Sequence, residues 1–166
     1  REHHLLMLID LWRPSGSPAD AARAVEQTLS VAATVCWEHR RECRGATLTV
    51  VCCGVDQWRW EARANSSGLE TLLDRLAVAA ASRINHLPTA LAESTRQVSA
   101  STRMVVVSPR TEAEVREEGN GQGSQQFKLA AASQWLHVTD ARYSELVVFA
   151  DQEHPFPRAI NPTGGL

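Results

Sequence analysis

The sequence predicts an α/β protein built on an open, mainly parallel, doubly wound sheet with one antiparallel edge strand. Three observations carry this. The runs at 5–9 (LLMLI), 47–53 (TLTVVCC) and 104–107 (MVVV) are apolar without alternation, as strands covered on both faces are. Amphipathic helical stretches separate them, long enough for the crossovers that parallel strands require. One segment, 58–65, alternates strictly, with Trp58, Trp60, Ala62 and Ala64 against Arg59, Glu61, Arg63 and Asn65. Such period-two patterning with one charged face suits a sheet edge.

The first strand ends on Asp10 and is followed by Leu11, Trp12, Arg13 and a Pro14–Pro18 loop. Ser17 is placed to cap the next helix, with Pro18 at its first position and Asp20 at its third. Ala22, Val25, Leu29, Ala32, Ala33, Cys36 and Trp37 recur by threes and fours, which predicts one buried face. Arg40, Arg41 and Arg44 sit where the helix dipole favours cations. Gly45 can terminate the helix in the left-handed conformation. After the edge strand, Ser67 and Glu70 resemble a capping box ahead of a helix burying Leu69, Leu72, Leu73, Leu76 and Ala80. A more polar helix spans 88–98, with Leu87, Leu91 and Thr95 on one side. Thr111 caps a short acidic helix over 112–118, residues 126–132 suggest another helix, and 135–139 reads as a strand. Residues 145–150 fit strand or helix equally. The chain divides into a domain over 1–153 and a Pro/Gly-rich surface or disordered tail over 154–166.

Composition excludes several classes. The 166 residues carry a net charge of −2, with 43% hydrophobic and 22% charged residues. No global field therefore calls for nucleic acid, and no apolar run approaches the ~20 residues that insert directly into a membrane. The chain starts at Arg1, so a longer protein with preceding membrane segments is compatible with it. Cys36, Cys43, Cys52 and Cys53 form no C-x-x-C pair, which argues against zinc. Helical rise separates Cys36 from Cys43 by ~10 Å, and all four read as buried thiols of a reducing compartment. The glycine-rich stretch 119–125 lacks the Gly-Lys-Ser/Thr ending of a phosphate loop.

No spacing assembles a catalytic group. His3 and His4 precede the first strand, and His39, His86, His137 and His154 are scattered. Cys52 or Cys53 with His39 would make a nucleophile–base pair without a motif. Residues 5 and 104 begin the two runs expected side by side at the sheet centre. The carboxyl ends of those strands then form the switch point where such sheets place ligands.

The stretches LLMLIDLW, SVAATVCWEH, LTVVCCG, LETLLDRLAVA and MVVVSPR, in this order, resemble a Rossmann-like von Willebrand factor A domain. Together they look like the C-terminal region of the bacterial domain-of-unknown-function family 58. The resemblance implies a segment on the cytoplasmic side of a membrane-anchored protein. It also implies a MoxR-type AAA+ ATPase, or its client, as partner in assembly or maturation. Domains of this type hold Mg²⁺ or Mn²⁺ through Asp-x-Ser-x-Ser plus a later Thr and Asp. Here Asp10 matches the first position, but Trp12 and Pro14 stand at the serine positions. Ser108, Pro109 and Arg110 stand where the later Asp is expected, and Ser66, Ser67 or Thr71 would have to supply the Thr. Too few oxygens remain for a strongly hydrated ion, so neither a metal nor another cofactor is expected. Weak Mg²⁺ or Mn²⁺ binding at Asp10 would need Ser15 and Ser17 as substitutes.

The resulting expectation is a non-catalytic protein-interaction module. Its partner edge is Asp10, Trp12, Arg13, Ser15, Ser17, Ser108 and Arg110, with Trp12 as the anchor. Arg13 and Arg110 either meet a partner carboxylate or neutralise Asp10 within the fold. The enzyme alternative is a Mg²⁺-dependent phosphate-handling hydrolase that uses Asp10.

Overall fold

A computed structural model describes residues 4–13, 18–43, 45–63, 66–99, 101–119 and 133–138. It contains β1 (His4–Asp10), α1 (Ala19–Glu42), β2 (Thr47–Cys53), β3 (Trp58–Arg63), α2 (Ser66–Ala77), α3 (Leu87–Gln97), β4 (Thr102–Ser108), α4 (Glu112–Gly119) and β5 (Ser133–His137). The protein is α/β, with a five-stranded mixed sheet in the order β3-β2-β1-β4-β5. Only the β2–β3 pair is antiparallel. The central pair is the expected one: Leu6 lies opposite Met104 and Ile9 opposite Val107. The order reverses at this pair, because β1 crosses over to β2 on one side while the later strands add on the other. Right-handed crossovers in opposite directions require helices on opposite faces.

The side chains of β1 divide accordingly. Leu5, Met7, Ile9 and Leu11 pack with Val25, Val31 and Cys36 of α1 and Leu69, Leu72 and Leu76 of α2. Leu6 and Leu8 pack with Leu87, Ala90 and Leu91 of α3 and Val115 of α4. Burying a side chain such as Met7 or Leu8 contributes about 1.5–3 kcal/mol, and the fully covered stretch from Leu5 to Ile9 is apolar throughout. At the β3 edge, Arg59, Glu61 and Arg63 are exposed and Trp58 and Trp60 pack against the core.

Several local readings change. Pro18 takes the capping place before Ala19 with an extended ψ of 166°. Proline's fixed φ serves either position, and here the Ala21 N–H closes the first turn on the Pro18 carbonyl at 3.0 Å. The buried face of α1 is rotated from the predicted one. Thr28 is buried because its hydroxyl donates to the Ala24 carbonyl at 2.8 Å, while Trp37 is 51% exposed under the Arg40 guanidinium. His4 lies within β1 rather than before it. Helix α2 starts at Ser66, so Ser67 is inside it rather than its cap, and it ends at Ala77, leaving Ala80 exposed in the following loop. Cys43 is half-buried rather than buried, and all four cysteines are free thiols. Gly45 does adopt a left-handed φ of 85°. The Thr111 cap of α4 is reciprocal: its hydroxyl accepts from the Glu114 N–H, and Glu114 accepts from the Thr111 N–H and hydroxyl. That pairing holds the Glu114 carboxyl below the usual range.

Readings for Pro14–Ser17, Arg44, 64–65, 120–132 and 139–166 lie outside the described residues. Among the described residues no helix is long and apolar enough to cross a membrane.

A Cβ added at Gly54 would meet the Ala80 carbonyl oxygen at 2.6 Å. Gly54→Ala therefore lowers the unfolding free energy by about 1–3 kcal/mol, the cost of overpacking, read by urea denaturation. Burial raises the Cys36 and Cys52 thiols from 9.0 to about 12, so the unfolded chain ionises first. Their contribution to stability is complete below pH 9.0 and is lost as pH rises toward about 12. The urea midpoint should fall over that window, and native alkylation at neutral pH should modify Cys43 before the buried three.

Candidate functional site

The carboxyl ends of β1 and β4 carry Asp10 and Ser108, both completely buried. Their strands run parallel and in register, so the two side chains meet across the switch point. Ser108 donates its hydroxyl to Asp10 Oδ2 at 2.7 Å and accepts the Arg110 backbone N–H at 3.0 Å. That second bond turns the chain after β4 and returns the Arg110 side chain over the strand ends. Arg110 Nε and Nη2 donate to the same Asp10 Oδ2 at 2.9 and 2.8 Å. The Trp12 N–H donates to Oδ1 at 3.2 Å.

Arg110 is itself enclosed, with 8% of its surface exposed. Nη1 donates to Glu118 Oε2 of α4 at 2.5 Å, and Nη2 also donates to Asn85 Oδ1 at 3.0 Å. Asn85 in turn donates to Glu118 at 3.2 Å. The Trp12 ring covers the guanidinium, with its centroid 4.3 Å from Cζ, an arrangement favoured by the ring quadrupole. The main chain is pinned as well: Trp135 Nε1 donates to the Arg110 carbonyl at 2.9 Å, and the His137 ring lies 3.2 Å from the Pro109 carbonyl. Burial, and then the Asp10 charge, raises the Cys53 thiol beside this network.

The segment 78–86 closes the edge from above. Ser82 bridges Trp12 in parallel, with its N–H on the Leu11 carbonyl at 2.9 Å and its carbonyl taking the Arg13 N–H at 2.7 Å. The Val55 N–H reaches the Ala80 carbonyl at 3.0 Å, over Gly54.

Of the predicted edge, the structure brings together Asp10, Trp12, Ser108 and Arg110, with half-buried Arg13 beside them. Ser15 and Ser17 lie outside the described residues. Thr71 is held elsewhere, its hydroxyl donating to the Ser67 carbonyl inside α2. The arrangement neutralises Asp10 within the fold through Arg110. The sequence reading missed Ser82, Asn85, Glu118 and Trp135. No spacing links them to Asp10, and the helical pattern read as far as Ala80 concealed the start of the 78–86 segment.

These groups do not fit a divalent ion. An octahedral site needs converging oxygens with open lone pairs, whereas three N–H or O–H donors converge on Asp10 Oδ2. A guanidinium stands where a cation would have to sit. Among the described residues no group of three or more His, Cys, Asp or Glu side chains could hold a metal. A separate groove of about 640 Å³ lies by the amino ends of β1 and β4, lined by Leu5, Val35, Val105, Leu136, His39 and Arg103, among others.

Removing one partner of a buried ion pair strands the other charge, at a cost of about 3–5 kcal/mol. Asp10→Ala and Arg110→Ala should each destabilise by that much in urea denaturation. The double variant Asp10→Leu/Arg110→Met should recover most of the loss, because neither charge is then left behind. No family model matches the chain, and no curated protein matches it as a relative.

Proposed function

We propose that this chain is a non-catalytic protein-interaction module, a von Willebrand A-like domain whose cation position is filled from within by Arg110. The observation that carries the reading is the saturation of Asp10 by Arg110, Ser108 and the Trp12 N–H. An Asp at a sheet switch point ordinarily works by offering lone pairs to an ion, a proton or a substrate. Here those lone pairs are directed to donors of the same chain, so the hydrolase alternative lacks an open carboxylate. The switch-point edge then offers shape and surface chemistry. Trp12 is half-buried over Arg110, and aromatic residues backed by arginine are typical interface anchors.

The strand order and the two helical faces are compatible with a Rossmann-like sheet, which supports the von Willebrand A-like assignment at the level of architecture. The resemblance of LLMLIDLW, LTVVCCG and MVVVSPR to the bacterial family supplies the setting: a module on the cytoplasmic side of a membrane-anchored protein, acting with a MoxR-type AAA+ ATPase or its client.

The test is cross-linked capture from a lysate of the source organism, comparing wild type with Trp12→Ala/Arg13→Ala. A partner identified by mass spectrometry should be retained in EDTA and lost in the variant. Titration calorimetry with Mg²⁺ and Mn²⁺ should give no heat that depends on Asp10. Micromolar, Asp10-dependent metal binding with turnover of phosphate esters would replace this reading with the enzyme.

A further inference from the structure

Among the described residues four large hydrophobic side chains are exposed, and three of them share one edge. Val78 (81% exposed) and Ile84 (66%) lie on the 78–86 segment, and Val55 (59%) lies on the turn after β2. The two loops are tied together by the Val55 N–H on the Ala80 carbonyl, over the close approach that Gly54 permits. The segment 78–86 is tied in turn to the end of β1 by the Trp12–Ser82 bridge. These apolar side chains therefore stand on backbone that is already pinned, which lowers the ordering cost of binding.

The same bridge is flanked by two cations. The residue after Trp12 is Arg13 and the residue after Ser82 is Arg83, so each of the two bridged segments carries an arginine next to the bridge. Arg13 is half-buried and Arg83 exposed, and neither joins an ion pair among the described residues. The acids at this edge among the described residues are Asp10 and Glu118, both bound to Arg110, and the exposed Asp56 beside Val55.

Resting on the interaction-module reading, we propose that this rim, Val55, Val78 and Ile84 around Arg13 and Arg83, docks a segment of another protein that carries adjacent carboxylates beside branched apolar side chains. The carboxylates pair with the two guanidinium groups, and the apolar side chains cover the three exposed hydrophobics. A second copy of this chain fits poorly, because a two-fold interface would face each arginine pair with its own kind. An anionic membrane fits poorly too. Lipid-binding patches cluster about 4–8 basic residues, and two arginines on a chain of net charge −2 fall short.

The test selects random twelve-residue peptides displayed on phage against the full chain, then titrates a synthetic winner by fluorescence anisotropy. The winners should pair Asp or Glu with Leu, Ile or Val, and their affinity should fall with salt. Arg13→Glu/Arg83→Glu should weaken the winner about tenfold or more, which is ~1.4 kcal/mol, and should select basic peptides instead. Val55→Ser/Ile84→Ser should weaken it with an unchanged melting curve. If the charge-reversed chain fails to fold, Arg13→Gln/Arg83→Gln replaces it. Failure to enrich acidic peptides overturns the proposal, as does a winner indifferent to both double variants. Binding that depends on Trp12 but not on Arg13 and Arg83 overturns this surface and leaves the interaction module standing. Asp10-dependent Mg²⁺ binding with phosphate-ester turnover overturns both. Binding to phosphatidylserine vesicles without acidic peptides assigns the rim to lipid. Self-association lost in Val55→Ser/Ile84→Ser assigns it to a second copy.

Discussion

The buried ion pair of Asp10 and Arg110 is the constraint around which this edge of the molecule is arranged. A carboxylate with no solvent exposure at the centre of an apolar sheet is costly unless its charge is matched and its lone pairs are taken. Arg110 does both with one rigid group. Its remaining N–H groups then need acceptors, which brings in Glu118 from α4 and Asn85 from the loop before α3. Its face needs cover, which Trp12 supplies. Four separate parts of the chain are therefore oriented by one charge.

That arrangement also limits what the edge can do chemically. Catalysis and metal binding require a group held with part of its valence unused. Here the acid is occupied by the chain's own cation, and the buried Cys36, Cys52 and Cys53 thiols are pushed far above neutrality by burial. Among the described residues this edge presents exposed hydrophobic side chains, the half-buried Trp12 ring and two arginines that join no ion pair. These are the ingredients by which protein surfaces hold other proteins.

The sheet itself was legible because its cause is local and repeated. Each central strand announces itself by an unbroken apolar run, and the edge strand by alternation. Helix α4 announces itself through the Thr111 cap. The errors fell where burial depends on the neighbour rather than on the period. Trp37 sits on a plausible apolar stripe yet lies exposed, because the core of α1 turns toward Thr28 and Val31. The loop 78–86 was read as helix as far as Ala80, and its remainder carried no pattern. Its role rests on Gly54, whose missing side chain lets Ala80 approach, and a glycine in sequence does not say what it makes room for.

By itself, the sequence determined the fold class, the adjacency of the two central strands and the place of Asp10 at their carboxyl ends, since hydrophobic periodicity and crossover geometry leave few alternatives. Which of two arginines meets Asp10 was open in the sequence, because both precede or follow turns at the same edge. The tertiary structure decided it: Ser108 accepts the Arg110 N–H and turns that side chain inward, while the Ser82 carbonyl holds Arg13 on the neighbouring strand. A local bond at Ser108 sets the turn, but the contact it serves joins Asp10 and Arg110 a hundred residues apart, and the pattern around neither residue encodes that meeting.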